Sequence, residues 1–346
     1  MKVVLSTPSL FLVCGCLWWA GMGDYALSLL PLVTGIAAIR ALVFVLTLPK
    51  KWAAYRATSF RWAVLGFVGN GAVAAWVVWA ALVMMSGMAH GRRLRSRGKS
   101  LVPSTESQGT WTTLAIEPGA SPFPHGLADR WRENGAVEHA SIAAFARLTL
   151  DLMGVGAPPS LIAAANLAAL GEVRHAEFCF SVARAIDGSA LSPAPFPEAA
   201  QTDTPPRDRR LALRKLAVES LVDGALGERV SANVLAQLAG RCRVPAIGDT
   251  LRGMATDEAG HAELGWAVVE WCVQDGGEVV VDSLRDAVRL LPARVETGLP
   301  QAARDGSWER YGIHGAELEA REYAAVVEAL NARLRDLAAK TTQRAA

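Results

Sequence analysis

The 346-residue sequence predicts an all-α protein: N-terminal transmembrane helices, then a four-helix bundle, then additional C-terminal helices. Three observations carry this prediction. Apolar stretches at 3–22, 25–48 and 62–88 hold almost no charge. Past residue 130, four runs of helix-forming residues are punctuated by Gly and Pro. Along those runs Glu138, Glu172, His175, Glu228, Glu258 and His261 follow one another as E...ExxH...E...ExxH.

The N-terminal region reads as a membrane domain over residues 1–91 with two to three transmembrane helices. The second and third apolar stretches are long enough to cross a hydrocarbon core of roughly 30 Å. Before Lys50 the only charged residues are Lys2, Asp24 and Arg40, and none occurs from Trp62 to Gly91. Trp52 and Trp62, beside Lys50, Lys51 and Arg61, suit the membrane interface. The first stretch, short and preceded by Met1-Lys2, also has the form of a signal peptide. Arg40 reads as structural, facing a neighbouring helix or snorkelling. The expected location is a bacterial inner membrane, multi-pass. Positive-inside counting nearly ties across the third span: Lys2 inside with Asp24 outside would place the bundle outside the cytoplasm, whereas the denser cluster Arg92, Arg93, Arg95, Arg97 and Lys99 tilts it toward the cytoplasmic side.

Residues 92–129 read as a linker, basic at first and then rich in Pro, Ser and Thr, in the manner of a flexible tether. The basic cluster is assigned to anionic lipid headgroups. Residues 1–100 carry 11 Lys or Arg against one acid, leaving 24 basic and 32 acidic residues after them, a balance of −8. An acidic soluble region is not a nucleic-acid binder. Five cysteines without CxxC spacing argue against a zinc site or a disulfide framework.

The bundle is expected over 130–275. Its first helix runs from about Ala136 and stops at Gly154 and Gly156, ahead of Pro158 and Pro159. Ser160 is the expected cap of the second, which ends at Asp187-Gly188. A Pro-rich crossover follows, and then helices over about 209–240 and 247–274, the last closed by Gly276-Gly277. Only the middle connection is long, as a bundle with one crossover requires. Residues 276–346 form a C-terminal helical extension. There Leu318, Tyr323, Val326, Val327, Leu330 and Leu334 recur at helical spacing, suited to packing on the bundle or on another subunit in a homodimer.

Helical spacing also carries the chemistry. Residues three apart sit one turn above each other, so Glu172 with His175, and Glu258 with His261, can each bind one ion. Divalent iron or manganese still lacks oxygen ligands, which one Glu from each of two further helices would supply. Glu138 and Glu228 are those candidates, 34 residues before Glu172 and 30 before Glu258. Glu219 competes with Glu228 but lies nine residues away, half a turn out of phase in a regular helix. Asp257, preceding the second ExxH glutamate, is placed to take the outer N–H of His175. The matching position in the first motif is Gly171, so His261 lacks such a partner. His139 points about 100° away from Glu138. Glu177 and Glu263 suit salt bridges, Cys179 and Cys272 suit packing, and His90, His125 and His314 show no partner spacing.

Four strings carry a family resemblance: Val137-Glu138-His139-Ala140-Ser141-Ile142-Ala143-Ala144-Phe145, Glu172-Val173-Arg174-His175-Ala176, Gly224-Ala225-Leu226-Gly227-Glu228 and Asp257-Glu258-Ala259-Gly260-His261-Ala262-Glu263. With them, residues of about 130–275 resemble the ferritin-like superfamily, and within it bacterial ferritin-like domain proteins of uncharacterised function. The resemblance implies a ferritin-like four-helix bundle whose two iron ions, or manganese, react with dioxygen or peroxide. Three function classes follow from it: an oxidase or ferroxidase in iron or peroxide handling, a di-iron oxygenase acting on a lipid or small molecule, and a non-catalytic membrane-tethered scaffold.

Overall fold

The computed structural model describes residues 92–96, 99–106, 109–119, 122–200, 206–293 and 299–345. The apolar stretches of the expected membrane domain lie outside these residues. Among the described residues, no helix is long and apolar enough to cross a membrane.

Two helical hairpins dominate the described part. In the first, α1 (Leu127–Val155) packs along α2 (Pro159–Asp187). In the second, one long helix made of α3 (Arg209–Glu219), a π-helical segment (Ser220–Glu228) and α4 (Arg229–Arg241) packs along α5 (Pro245–Gly276). The hairpins meet where α2 lies on α5 and α1 on α3. Helices α6 (Glu278–Arg289) and α7 (Ala316–Ala345) follow. The apolar face of α7 is buried at Leu318, Tyr323, Val326, Leu330 and Leu334. It covers α4, α6 and the π segment, so this face is satisfied within the chain.

The helix ends follow the local chemistry, with two differences from expectation. Gly156 and Gly188 stop α1 and α2 with φ of 73° and 79°, a left-handed turn that lets their N–H groups bond back to the last carbonyls. Helix α2 is started by Pro159 at its first position, behind extended Pro158, rather than capped by Ser160. Proline lacks only an N–H that the first turn leaves unpaired anyway. Helix α1 begins nine residues earlier than Ala136. Leu127 and Trp131, four apart, are fully buried and extend its core stripe, and Gly135 stays helical because the Phe180 ring lies where a Cβ would stand, 2.9 Å away. Buried side chains of this size contribute about 1.5–3 kcal/mol each, more than the roughly 1 kcal/mol that a helical glycine costs.

The long helix departs most from a regular one. Asp208 caps its start, accepting from the N–H groups of Arg210 and Leu211 at 2.8 and 3.1 Å. From Ser220 to Glu228 it unwinds into i→i+5 bonding. This stretch faces α5 where Gly224 meets Gly265: a Cβ on Gly265 would lie 2.5 Å from the Ala225 nitrogen. The two backbones touch there with no side chain between them.

Residues 92–119 differ from the expected free tether. They form a small hairpin, β1 (Arg95–Ser96) with β2 (Lys99–Ser100), and then β3 (Thr105–Glu106), which pairs antiparallel with β4 (Ser192–Pro193) in the crossover. Side chains fasten the segment to the bundle. Ser141 Oγ donates to the Arg92 carbonyl at 2.9 Å, Arg184 donates to the Thr112 carbonyl at 2.7 Å, and Leu114 N–H donates to Ser181 Oγ at 3.2 Å.

Candidate metal centre

All six expected side chains converge inside the bundle. Glu138 comes from α1, Glu172 and His175 from α2, Glu228 from the end of the π segment, and Glu258 and His261 from α5. Glu172, Glu228 and Glu258 are fully buried, and the other three nearly so. They make two overlapping groups with ligand atoms within 4.8 Å of one another: Glu138, Glu172, His175 and Glu258, and Glu172, Glu228, Glu258 and His261. Glu172 and Glu258 belong to both. Glu138 belongs only to the first group and Glu228 only to the second.

The approach distances are those of ligands around shared centres. His175 Nδ1 stands 3.5 Å from Glu172 and 3.3 Å from Glu258. His261 Nδ1 stands 3.1 Å from Glu172 and 3.5 Å from Glu258. None of these contacts has the alignment of a hydrogen bond. Nine buried atoms of the cluster lack any hydrogen-bond partner: both oxygens of Glu172, Glu228 and Glu258, one of Glu138, and both histidine Nδ1 atoms. Adjacent ligand atoms about 2.1 Å from one cation sit about 3 Å apart and aim at the cation instead of each other. Buried polar groups are otherwise nearly always paired, so a convergent set of orphans fits metal ions.

Ionisation in the metal-free cluster splits the six groups. Burial, followed by the charges of Glu172 and Glu258, pushes Glu138 and Glu228 well above the usual carboxylate range. Burial opposes the protonated imidazoles but is outweighed by the surrounding carboxylates, which raise His175 well above its ordinary value and His261 to about 9. Burial likewise works against ionised Glu172 and Glu258, and the approach of both imidazoles overrides it and holds them below the ordinary range.

Around the cluster the two histidines are supported unequally. His175 Nε2 meets Asp257 Oδ2 at 3.2 Å, and Arg174 stands 3.6 Å from the same oxygen. This contact, with help from Arg174, lowers the Asp257 pKa. His261 Nε2 instead faces Gly171, where a Cβ would lie 3.3 Å away, and has no hydrogen-bond partner among the described residues. The Phe145 ring meets His261 edge-on at 5.0 Å.

The competing residues go elsewhere. Glu219 heads the π segment, 3.6 Å from Lys215. The half-turn argument holds only for a regular α-helix, and position along the axis separates Glu219 from the cluster. His139 packs against Trp111 and Phe196, with ring centroids at 4.9 and 6.3 Å. Glu177 accepts from Thr113 Oγ1. Glu263 bridges Arg229 and Arg333 at 2.6 and 3.0 Å. His314, which showed no partner spacing, lies 3.3 Å from Glu319, five residues on. Cys179 and Cys272 are buried and protonated, burial pushing the Cys272 thiol up to about 12. His90 lies outside the described residues, and His125 is exposed.

Sequence reasoning passed over three features. Phe145 was noted only within a helical string, and the Gly224/Gly265 contact carries no local pattern. Arg92, read as facing lipid, is buried, with its guanidinium 5.9 Å from the centroid of the Phe145 ring.

Fold and site together define a mostly helical protein with a buried carboxylate and histidine cluster that could hold metal ions. Compared with protein-family models, curated proteins and solved structures, the chain matches none.

Proposed function

We propose that this chain is a membrane-anchored, ferritin-like di-metal protein, with two iron ions as its cofactor, acting as an oxidase or ferroxidase in iron or peroxide handling. The observation that carries the reading is the set of nine orphaned buried atoms, contributed by four carboxylates and two imidazoles. Glu138 and His175 would hold one ion, Glu228 and His261 the other, and Glu172 and Glu258 would span both. This oxygen-rich set with one nitrogen per ion suits iron or manganese better than a thiolate-seeking metal. Iron bound there would supply the reduction of dioxygen or peroxide. The protein's own contribution is positional. Asp257 orients the His175 ring, and the burial of all six side chains, with Phe145 against His261, keeps bulk water from the cluster. The apolar stretches of residues 1–91 support the membrane anchor.

Metal content of the full chain after anaerobic loading with ferrous iron tests the proposal. Two irons per chain are expected, lost with Glu172→Ala or Glu258→Ala, together with ferrous-dependent oxygen uptake. A folded chain that binds no metal specifically would leave the scaffold reading in its place. Oxygen uptake that requires added lipid would point to the oxygenase.

A further inference from the structure

A cavity of about 50 Å³ lies between the entry strand at Arg92–Arg95, α1, the end of α3 and the start of the π segment. By the same measure one water needs about 10–15 Å³, so the space holds about four waters, close to the heavy-atom count of a tetrahedral oxyanion. Five cations line it: Arg92, Arg93, Arg95, Arg147 and Lys215. Three acids also reach it, each already engaged. Asp223 pairs with Arg95 at 2.7 Å, Asp151 with Arg147 at 2.8 Å, and Glu219 with Lys215 at 3.6 Å. None of these three acids pairs with Arg92.

Arg92 is the exceptional member. It is 6 % exposed, and its guanidinium forms no ion pair or hydrogen bond among the described residues, resting only against the Phe145 ring. One of its terminal nitrogens fills the space above Gly224, 3.2 Å from where a Cβ would stand. Its backbone carbonyl accepts from Ser141 Oγ, which ties the strand to α1 at this point. A buried guanidinium without a partner is costly, and its planar donors match the oxygens of a phosphate or carboxylate. The route in is open, since Arg95 and Arg147 keep 19 % and 22 % of their side chains exposed.

We propose that this cavity binds a phosphate-type oxyanion, with Arg92 as its buried ligand and the half-buried Lys215 as a second cation in the lining. A tetrahedral oxyanion matches the planar donors of Arg92 and the volume. It is either free phosphate or the phosphate of a lipid headgroup presented beside the bundle.

The test uses the full chain stripped of metal with a chelator, so that iron cannot take the anion. Inorganic phosphate is titrated calorimetrically against a chloride background of equal ionic strength, followed by dihexanoyl phosphatidic acid below its micellar concentration. One phosphate per chain is expected, weakened at least tenfold by Arg92→Gln and less by Lys215→Gln. The partly exposed Lys215 keeps the test decisive should Arg92→Gln fail to fold. Phosphatidic acid binding tenfold or more tightly than phosphate identifies the headgroup as the ligand, and equal affinities identify the free ion. No binding above the chloride background overturns the proposal, as does binding that both folded variants retain unchanged. Neither result bears on the metal centre, whose occupancy is measured separately.

Discussion

Gly265→Ala is expected to separate the role of the glycine contact from that of the ligands themselves. The new Cβ would stand 2.5 Å from the Ala225 nitrogen, 2.9 Å from the Gly224 carbonyl carbon and 2.9 Å from the Ser220 carbonyl oxygen. Ordinary contact needs about 3.5 Å, so the two helices must part by roughly 1 Å. Overpacking costs about 1–3 kcal/mol when side chains can yield, and here the obstacles are backbone, which places the cost near 3 kcal/mol. Alanine's better helix propensity returns about 1 kcal/mol, for a net loss of about 2 kcal/mol. Gly253→Ala, on the same helix with nothing within 4 Å of its Cβ, is the control. It should gain the propensity term alone, about 1 kcal/mol. At about 2–4 °C per kcal/mol for a domain of this size, the two melting temperatures should differ by roughly 6–12 °C. Because Glu228 ends the displaced segment, the Gly265 variant should also bind less metal, and the Gly253 variant should not. Thermal unfolding by circular dichroism with elemental analysis of the same samples reads both effects. A Gly265 variant that melts with the control and keeps its metal would refute the claim that this backbone contact sets the site.

Two further outcomes follow from single contacts. Asp257→Ala removes the hydrogen-bond partner of His175 and should weaken metal binding roughly 10–100-fold, read by chelator competition, and unchanged affinity would remove Asp257 from any orienting role. Asp223 is held below its ordinary pKa: burial opposes its charge, but Arg95 outweighs it. Its contribution to stability is therefore present above the unfolded value of about 3.9 and lost as pH falls through the folded one. Asp223→Asn should be less stable than wild type at pH 7 and should lose less on acidification below about pH 4, which denaturant melts across pH would show.

The parts that could be read in the sequence are those governed by one helix at a time. Glu172 with His175, and Glu258 with His261, follow from the rule that residues three apart share a face, and the stops at Gly156, Gly188 and Gly277 follow from glycine's freedom at positive φ. What could not be read depends on two elements meeting. The π segment is set by the close approach of Gly224 and Gly265, 41 residues apart. The early start of α1 depends on the Phe180 ring lying over Gly135, which turns an apparent breaker into a packing position. The basic run at Arg92 looked like a membrane-surface signal because charge alone does not show direction. Its first arginine turns inward once Ser141 holds the strand, and Asp223, deep in the bundle, draws Arg95 after it.

The ionisation pattern explains how the cluster can exist both with and without metal, and yields a count. Without metal, protons on Glu138, Glu228, His175 and His261 leave two anionic carboxylates facing two imidazolium groups, a neutral interior. With two divalent ions, four ionised carboxylates and two neutral imidazoles are again neutral. Neutrality in both states avoids the cost of an unbalanced buried charge, so occupancy amounts to an exchange of about four protons for two ions near pH 7. The metal-free state should carry the signature of raised pKa values. For a group raised on folding, the stabilisation is complete below the unfolded pKa and lost as pH rises through the folded one. For His261, raised from 6.5 to about 9, this is worth roughly 3 kcal/mol, so the metal-free chain should melt at lower temperature on going from pH 6.5 to 9, while the metal-loaded chain should not. Calorimetric metal titrations in buffers of different ionisation enthalpy count the protons directly. Release near four supports the exchange, whereas release near zero with pH-independent melting would mean that the six side chains are not protonated in this way, and the cluster's neutrality would need another source.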